Sequence, residues 1–249
     1  MEEIMDRDDD ERKHSTISES EKEQRWDKIF DKTYTREDIR NQYDNWIEQD
    51  SRMETIFNEC RKPILDLGCG IGIDTLHLLE KGHNVVACDF SSKALDIVKK
   101  NIPEAITRQF NMTKGIPIAN EEFALIIGNK SIHYFSEQET RNLISEIHRV
   151  LKIGGHFAFV VNSIKDTSYG AGNGVKLEEN FYETRGTTKR FFDEEELRRF
   201  FDSEHWEFIS ANEIEVEVQG ERMQTVTLKV DGQEAPTKKV TWNCMVKKK

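Results

Sequence analysis

Pro63-Ile-Leu-Asp-Leu-Gly-Cys-Gly-Ile-Gly72 is the stretch that decides how this chain is read. Ile64, Leu65 and Leu67 form a short apolar run, as in a strand buried on both faces of a parallel sheet. Gly68, Gly70 and Gly72 follow at once, and Ile73-Asp-Thr-Leu-His-Leu-Leu-Glu-Lys81 then has helical periodicity. Strand, glycine turn and helix in that order open a nucleotide-binding βαβ unit. Residues without a Cβ let the backbone turn sharply and bring amide N–H groups close to a ligand.

The spacing narrows the ligand. A dinucleotide fingerprint reads G-x-G-x-x-G, whereas these glycines fall as G-x-G-x-G, with Asp66 two residues ahead of the first. A carboxylate there is a poor neighbour for pyrophosphate and suits a ligand carrying an ammonium and a sulfonium. Val85-Val-Ala-Cys88 reads as the second buried strand and ends in Asp89, where βαβ proteins hold ribose hydroxyls. The other reading of Asp89 is an acidic helix cap, since Ser91-Ser-Lys-Ala-Leu95 opens a helix.

Asp66-Leu-Gly-Cys-Gly-Ile-Gly72 resembles motif I of the class I S-adenosylmethionine-dependent methyltransferases. Four further features fall in the family's order. They are Asp89, the tip of a third strand (Ile106–Phe110), the Asn129–His133 segment after a fourth strand (Phe123–Ile127), and Leu151-Lys-Ile-Gly-Gly155 before a fifth (His156–Val161). The resemblance implies an α/β fold: a doubly wound, Rossmann-like, seven-stranded sheet, mostly parallel with an antiparallel C-terminal strand, plus N-terminal helices. It implies S-adenosyl-L-methionine as cofactor, S-adenosyl-L-homocysteine as product, and methyl transfer to an O, N or S atom. Gly68, Cys69 and Gly70, with Asp66 nearby, would hold the amino-acid end, and Asp89 the ribose. Phe90, Asn111 and Met112 would hold the adenine, with core packing as the other reading of Met112, and Asn129 lies at the fourth strand's tip.

Two positions depart from the family pattern: Asn111 and Ala124 stand where acids are usual. An amide can still accept from the adenine amino group and donate to a ring nitrogen. The absence of Asn-Pro-Pro-Tyr argues against methylation of adenine or glutamine amide groups. His133 is the histidine to consider as a catalytic base, with a structural or cofactor-lining role as the other reading.

Composition sets outer bounds. The 249 residues carry a formal net charge of −11, which argues against nucleic-acid and anionic-membrane partners and favours a small-molecule methyl acceptor. No apolar run has the length of a membrane span and no signal-peptide core opens the chain, so a cytoplasmic protein is expected. Cys60, Cys69, Cys88 and Cys244 show no C-x-x-C spacing and read as free thiols. No cluster of carboxylates and histidines has metal-ligand spacing, so no metal is expected.

Residues 1–24 are almost wholly polar and acidic and read as a disordered tail. Residues 25–60 form an N-terminal helical cap of two or three amphipathic helices. In it, Tyr34 and Tyr43 either close over the cofactor, as the family resemblance implies, or simply anchor the helices. Residues 61–249 are expected to form the methyltransferase domain that the resemblance implies. Within it, the glycine-rich segment 162–192 reads as a mobile substrate loop, and 216–239 as an inserted hairpin region turning at Asp231-Gly232. Asn180-Phe-Tyr182 and Arg190-Phe-Phe192 loosely resemble small-molecule methyltransferases of the tellurite-resistance type. Tyr134, Tyr169, Tyr182 and Arg190 are the further substrate-binding candidates, with core packing as the alternative for the tyrosines and solvent for the arginine. Two other functions compete: a non-catalytic cofactor-binding scaffold or activating partner, and a nicotinamide-dependent oxidoreductase.

Overall fold

Ile64–Leu67 is buried at all four positions, so this strand presents no face to water and lies inside a sheet covered on both sides. The computed structural model describes residues 19–168, 170–184, 186–216, 228–230, 233–235 and 238–249. Three helices come first: α1 (Glu19–Ile29), α2 (Arg36–Arg40) and α3 (Ser51–Glu59). Strands and helices then alternate through β1 (Ile64–Leu67), α4 (Ile73–Glu80), β2 (Val85–Asp89), α5 (Ser92–Asn101), β3 (Ile106–Gln109), β4 (Phe123–Asn129), α6 (Glu137–Val150) and β5 (Leu151–Asn162). The second half adds β6 (Val175–Glu178), β7 (Phe181–Thr184), β8 (Thr187–Arg190), α7 (Glu194–Phe200), β9 (Trp206–Val216), β10 (Leu228–Val230), β11 (Gln233–Ala235) and β12 (Lys239–Lys248).

Seven strands form one sheet in the order β3-β2-β1-β4-β5-β12-β9. β1 pairs in parallel with β2 on one side and β4 on the other. β12 runs antiparallel to both β5 and β9 and is the reversed strand the sequence reading expects. Successive side chains point to opposite faces. Leu65, Leu67, Phe157 and Phe159 therefore pack under α6 and α7, while Ile64, Ile127, Ala158 and Val160 pack against α3 and α4. Strand order reverses at β1, so the carboxyl ends of β1 and β4 flank the crevice where open α/β sheets bind ligands.

Two sequence expectations are corrected. Residues 1–18 of the expected tail lie outside the described residues, but α1 begins at Glu19, six residues before the boundary placed at 25. Side chains on both sides of that boundary are tied to the domain: Gln109 donates to Glu23 (2.9 Å), and the Arg25 guanidinium donates to the Gly186 carbonyl. Segment 162–192 is not a loop throughout. β6, β7 and β8 form a small antiparallel sheet whose turns place Asn180 and Gly186 at positive φ (54° and 74°). Asn and Gly tolerate that conformation best, and Gly170, Gly172 and Gly174 lie ahead of the strands rather than within them. In the 216–239 region β10 and β11 pair antiparallel, and the Asp231-Gly232 turn lies outside the described residues.

Arg190 fastens this small sheet to the domain. Its guanidinium, 1% exposed, pairs with Glu196 on α7 (2.9 Å) and with Glu178 on β6, and lies 5.1 Å over the Phe181 ring. Removing one partner of a buried pair strands the other charge. Arg190→Met is therefore expected to lower stability by about 3–5 kcal/mol in urea unfolding followed by circular dichroism. Adding Glu196→Leu should recover part of that loss, because less charge is then left without a partner.

Candidate active site

The glycine turn places backbone where side chains would not fit. Gly68 has φ 77°, and a Cβ there would sit 2.4 Å from the Ser131 Cβ on the segment following β4. The Ser131 hydroxyl donates to the Leu67 carbonyl (2.6 Å) and locks the ends of β1 and β4 together. Gly70 faces the Phe30 ring just beyond α1, which a Cβ would approach at 3.6 Å. Asp89 braces the turn: the Gly70 N–H donates to its Oδ2 and the Ser91 N–H to its Oδ1, both at 2.8 Å.

Around this turn lies a cavity of about 430 Å³. Gly68, Cys69, Gly70, Asp89, Phe90, Asn111, Met112, Asn129, Tyr34 and Tyr134 all line it, so ten of the sequence candidates converge. Sequence reasoning missed Trp26, Phe30, Asp44, Asp74, Lys130 and Phe135, which line it too. Trp26 carried a signal, as an aromatic residue on the helical cap. Asp74 carried one as well, being an acid in the first helical turn after the glycines.

Three carboxylates line the cavity, at Asp44, Asp74 and Asp89. Burial pushes Asp89 above the usual carboxylate range and Asp74 up to about 6. Asp74 accepts hydrogen bonds from Trp46 Nε1 (2.7 Å) and Asn129 Nδ2 (3.0 Å), which offset part of that penalty. Lys130, the only cationic side chain in the lining among the described residues, pairs with Asp44 (3.0 Å). The Asn129 Oδ1 is buried and has no partner among the described residues. Carboxylates outnumber cations in this lining among the described residues, and a cationic ligand would relieve them. S-adenosylmethionine, with an ammonium, a sulfonium and two ribose hydroxyls, fits this set; a pyrophosphate does not. Burial holds the Cys69 thiol well above its ordinary range, which argues against a thiolate nucleophile.

A second cavity, of about 280 Å³, adjoins the first. The two share Trp26, Ile29, Phe90, Asn111, Tyr134 and Phe135, and the second is completed by Phe181, Thr187 and Thr188 of the small sheet.

Five candidates lie apart from the first cavity. Asp66 is buried beneath the turn and accepts from the Thr75 hydroxyl (2.5 Å), so it acts through packing. Tyr43 donates to Glu48 (2.7 Å) and stacks on His77 at 3.7 Å, outside the lining of the first cavity. Tyr182 faces Phe191 at 6.2 Å, while its neighbour Phe181 points into the second cavity. Arg190 is consumed by its ion pairs. His133 is buried outside both cavity linings. Tyr169 lies outside the described residues. Among the described residues the one group with metal-ligand proximity is exposed Asp202, Glu204 and His205, away from these cavities.

Residues 64–155 match the family model described as "Methyltransferase domain". An uncharacterized methyltransferase of Synechocystis sp. is 39% identical over 97 residues, covering 39% of this chain and 45% of that protein. The tRNA N(3)-cytidine methyltransferase of Mus musculus is 30% identical over 154 residues, covering 55% of this chain and 53% of that one. This chain thus spans about half the length of these curated relatives. The crystal structure of an S-adenosylmethionine-dependent methyltransferase from Anabaena variabilis superposes with TM-score 0.62 at 18% identity, covering 94% of this chain and 96% of that one.

The buried His133 has a consequence for stability. Burial, with Lys189 and Lys130 adding to it, lowers its pKa from 6.5 to about 3, so the folded chain keeps the imidazole neutral. Its contribution is complete above the unfolded value and is lost as pH falls below it, because only the unfolded chain then takes up a proton. Between about pH 7 and 5, wild type should lose about 2 kcal/mol more than His133→Asn. Urea midpoints measured across that range for both proteins give the comparison.

Proposed function

We propose that this chain, a member of the class I S-adenosylmethionine-dependent methyltransferases, transfers a methyl group to an O, N or S atom of a small molecule. The observation that carries the reading is the carboxylate-lined first cavity at the β1–β4 crevice. Bound S-adenosylmethionine supplies an electrophilic methyl group on a sulfonium. The chain's own groups bind and orient. Asp89 takes the ribose hydroxyls with lone pairs left over from its backbone contacts. Phe90, Met112 and Asn111 enclose the adenine. Asp74 and the unpartnered Asn129 oxygen take the cationic amino-acid end, while Gly68 and Gly70 give it close backbone approach. The helix above the cavity, through Trp26 and Phe30, excludes water from the reacting atoms.

Charge supports a small acceptor. The mouse relative acts on tRNA, and a polynucleotide needs a track of unengaged cations. Here the net charge is −11, and Lys130 in the cavity lining is already paired with Asp44. No base is assigned, since His133 lies outside the linings; nucleophiles such as thiolates and some amines need none. Among the described residues no helix is long and apolar enough to cross a membrane. The four free cysteines support a reducing, cytoplasmic setting.

The test is calorimetric titration with S-adenosylmethionine and S-adenosylhomocysteine, using wild type and Asp89→Asn. Loss of a charged hydrogen-bonding partner is worth about 1.5–3 kcal/mol, so affinity should fall by about 10- to 100-fold. Equal affinity in the two proteins would remove Asp89 from the site. A subsequent screen for labelled methyl transfer identifies the acceptor.

A further inference from the structure

We propose that the second cavity is the acceptor site, and that it takes a flat, uncharged ring system with an N–H or O–H donor on its edge. This rests on the first cavity being the cofactor site. The second cavity is continuous with it, sharing the walls Trp26, Phe90, Tyr134 and Phe135. Its volume of about 280 Å³ is at the lower end of ligand pockets, which run to roughly 300–1,000 Å³, and suits one or two fused rings.

Its walls select for flatness. Trp26 and Tyr134 meet edge to face, with centroids 4.7 Å apart and planes at 80°. A planar guest can stack on one ring while presenting its edge to the other. Phe181 from β7 adds an aromatic surface from the small sheet.

The polar groups select against charge and for a donor. Among the described residues the lining holds two ionic side chains, Arg25 and Glu139, which are opposite in sign. Arg25 donates to the Gly186 carbonyl, and Glu139 accepts from the Ser136 N–H (3.0 Å) and hydroxyl (2.8 Å) as part of the α6 cap. A charged acceptor of either sign would meet a like charge beside an opposite one there, with no net counter-charge to offset its desolvation. Two threonine hydroxyls in the lining have their single protons committed: Thr188 donates to the Tyr134 carbonyl (2.8 Å) and Thr113 to Asn111 Oδ1 (2.8 Å). Each offers only lone pairs, so the complementary guest carries a donor.

The test uses protein saturated with S-adenosylhomocysteine and titrated with 4-hydroxyquinoline and indole, with quinoline, quinoline-4-carboxylate and a tRNA transcript beside them. Calorimetry gives affinities. The indole N–H resonance of Trp26, assigned with Trp26→Phe among the four tryptophans, reports position. The proposal expects both donor rings to bind and to shift the Trp26 signal. It expects quinoline and the carboxylate to bind at least tenfold more weakly than 4-hydroxyquinoline. Thr188→Val should weaken 4-hydroxyquinoline about tenfold while leaving quinoline and S-adenosylhomocysteine unchanged, the latter also showing that the variant is folded. Binding of S-adenosylhomocysteine without any ring binding would overturn the proposal and leave the cofactor reading intact. Tighter binding of the carboxylate or the tRNA would overturn it in favour of a charged or macromolecular acceptor. Failure of S-adenosylhomocysteine to bind would overturn both readings.

Discussion

The contact between Gly68 and Ser131 constrains everything around it. At this point the backbone leaving β1 comes so close to the segment leaving β4 that a single added carbon would meet the Ser131 Cβ at 2.4 Å. The Ser131 hydroxyl closes the same contact by donating to the Leu67 carbonyl. With the two strand ends held together, the chain beyond Gly68 has to swing away over β2. That swing brings the Gly70 N–H onto Asp89 and opens the crevice between the diverging helices. Fold and ligand site are therefore set by one steric condition, and a side chain at position 68 would disturb both.

The same turn concentrates negative charge. Asp66 lies beneath it, Asp89 braces it and Asp74 opens the helix after it, and burial raises the pKa of each carboxyl. Backbone and side-chain donors from Gly70, Ser91, Thr75, Trp46 and Asn129 hold these acids in place. Such an arrangement costs folding free energy when empty, and a cation would recover part of it. Stability and ligand preference thus have a common electrostatic origin.

Much of this was legible in the sequence, and the limits have physical causes. Ile64–Leu67 and Val85–Cys88 were readable because a strand buried on both faces shows as an unbroken apolar run. The convergence of Asp89, Phe90 and Asn111 on one cavity was readable because strand tips in a doubly wound sheet meet at the same edge. The small sheet β6–β8 was not, because its four-residue strands are half exposed and flanked by glycines, which mimics a loop. Side-chain direction was also beyond reach. In the run Ser131-Ile-His-Tyr-Phe135, the serine, tyrosine and phenylalanine reach the cavity while the histidine packs away from it. Arg190 looked like a free cation in the sequence because Glu178 and Glu196 approach it only once β6 and α7 have folded around it.

Helix α1 covers both cavities, and its attachments are mostly polar. Asp27 accepts from the Ser91 hydroxyl (2.6 Å), Arg25 reaches Gly186, and Glu23 takes a hydrogen bond from Gln109. Trp26 and Ile29 wall the two cavities together. Because one helix forms this shared roof, the two chambers cannot be gated independently from that side. Any movement that lifts α1 exposes both at once, and any that seats it encloses both, so entry and departure through the roof share a single door.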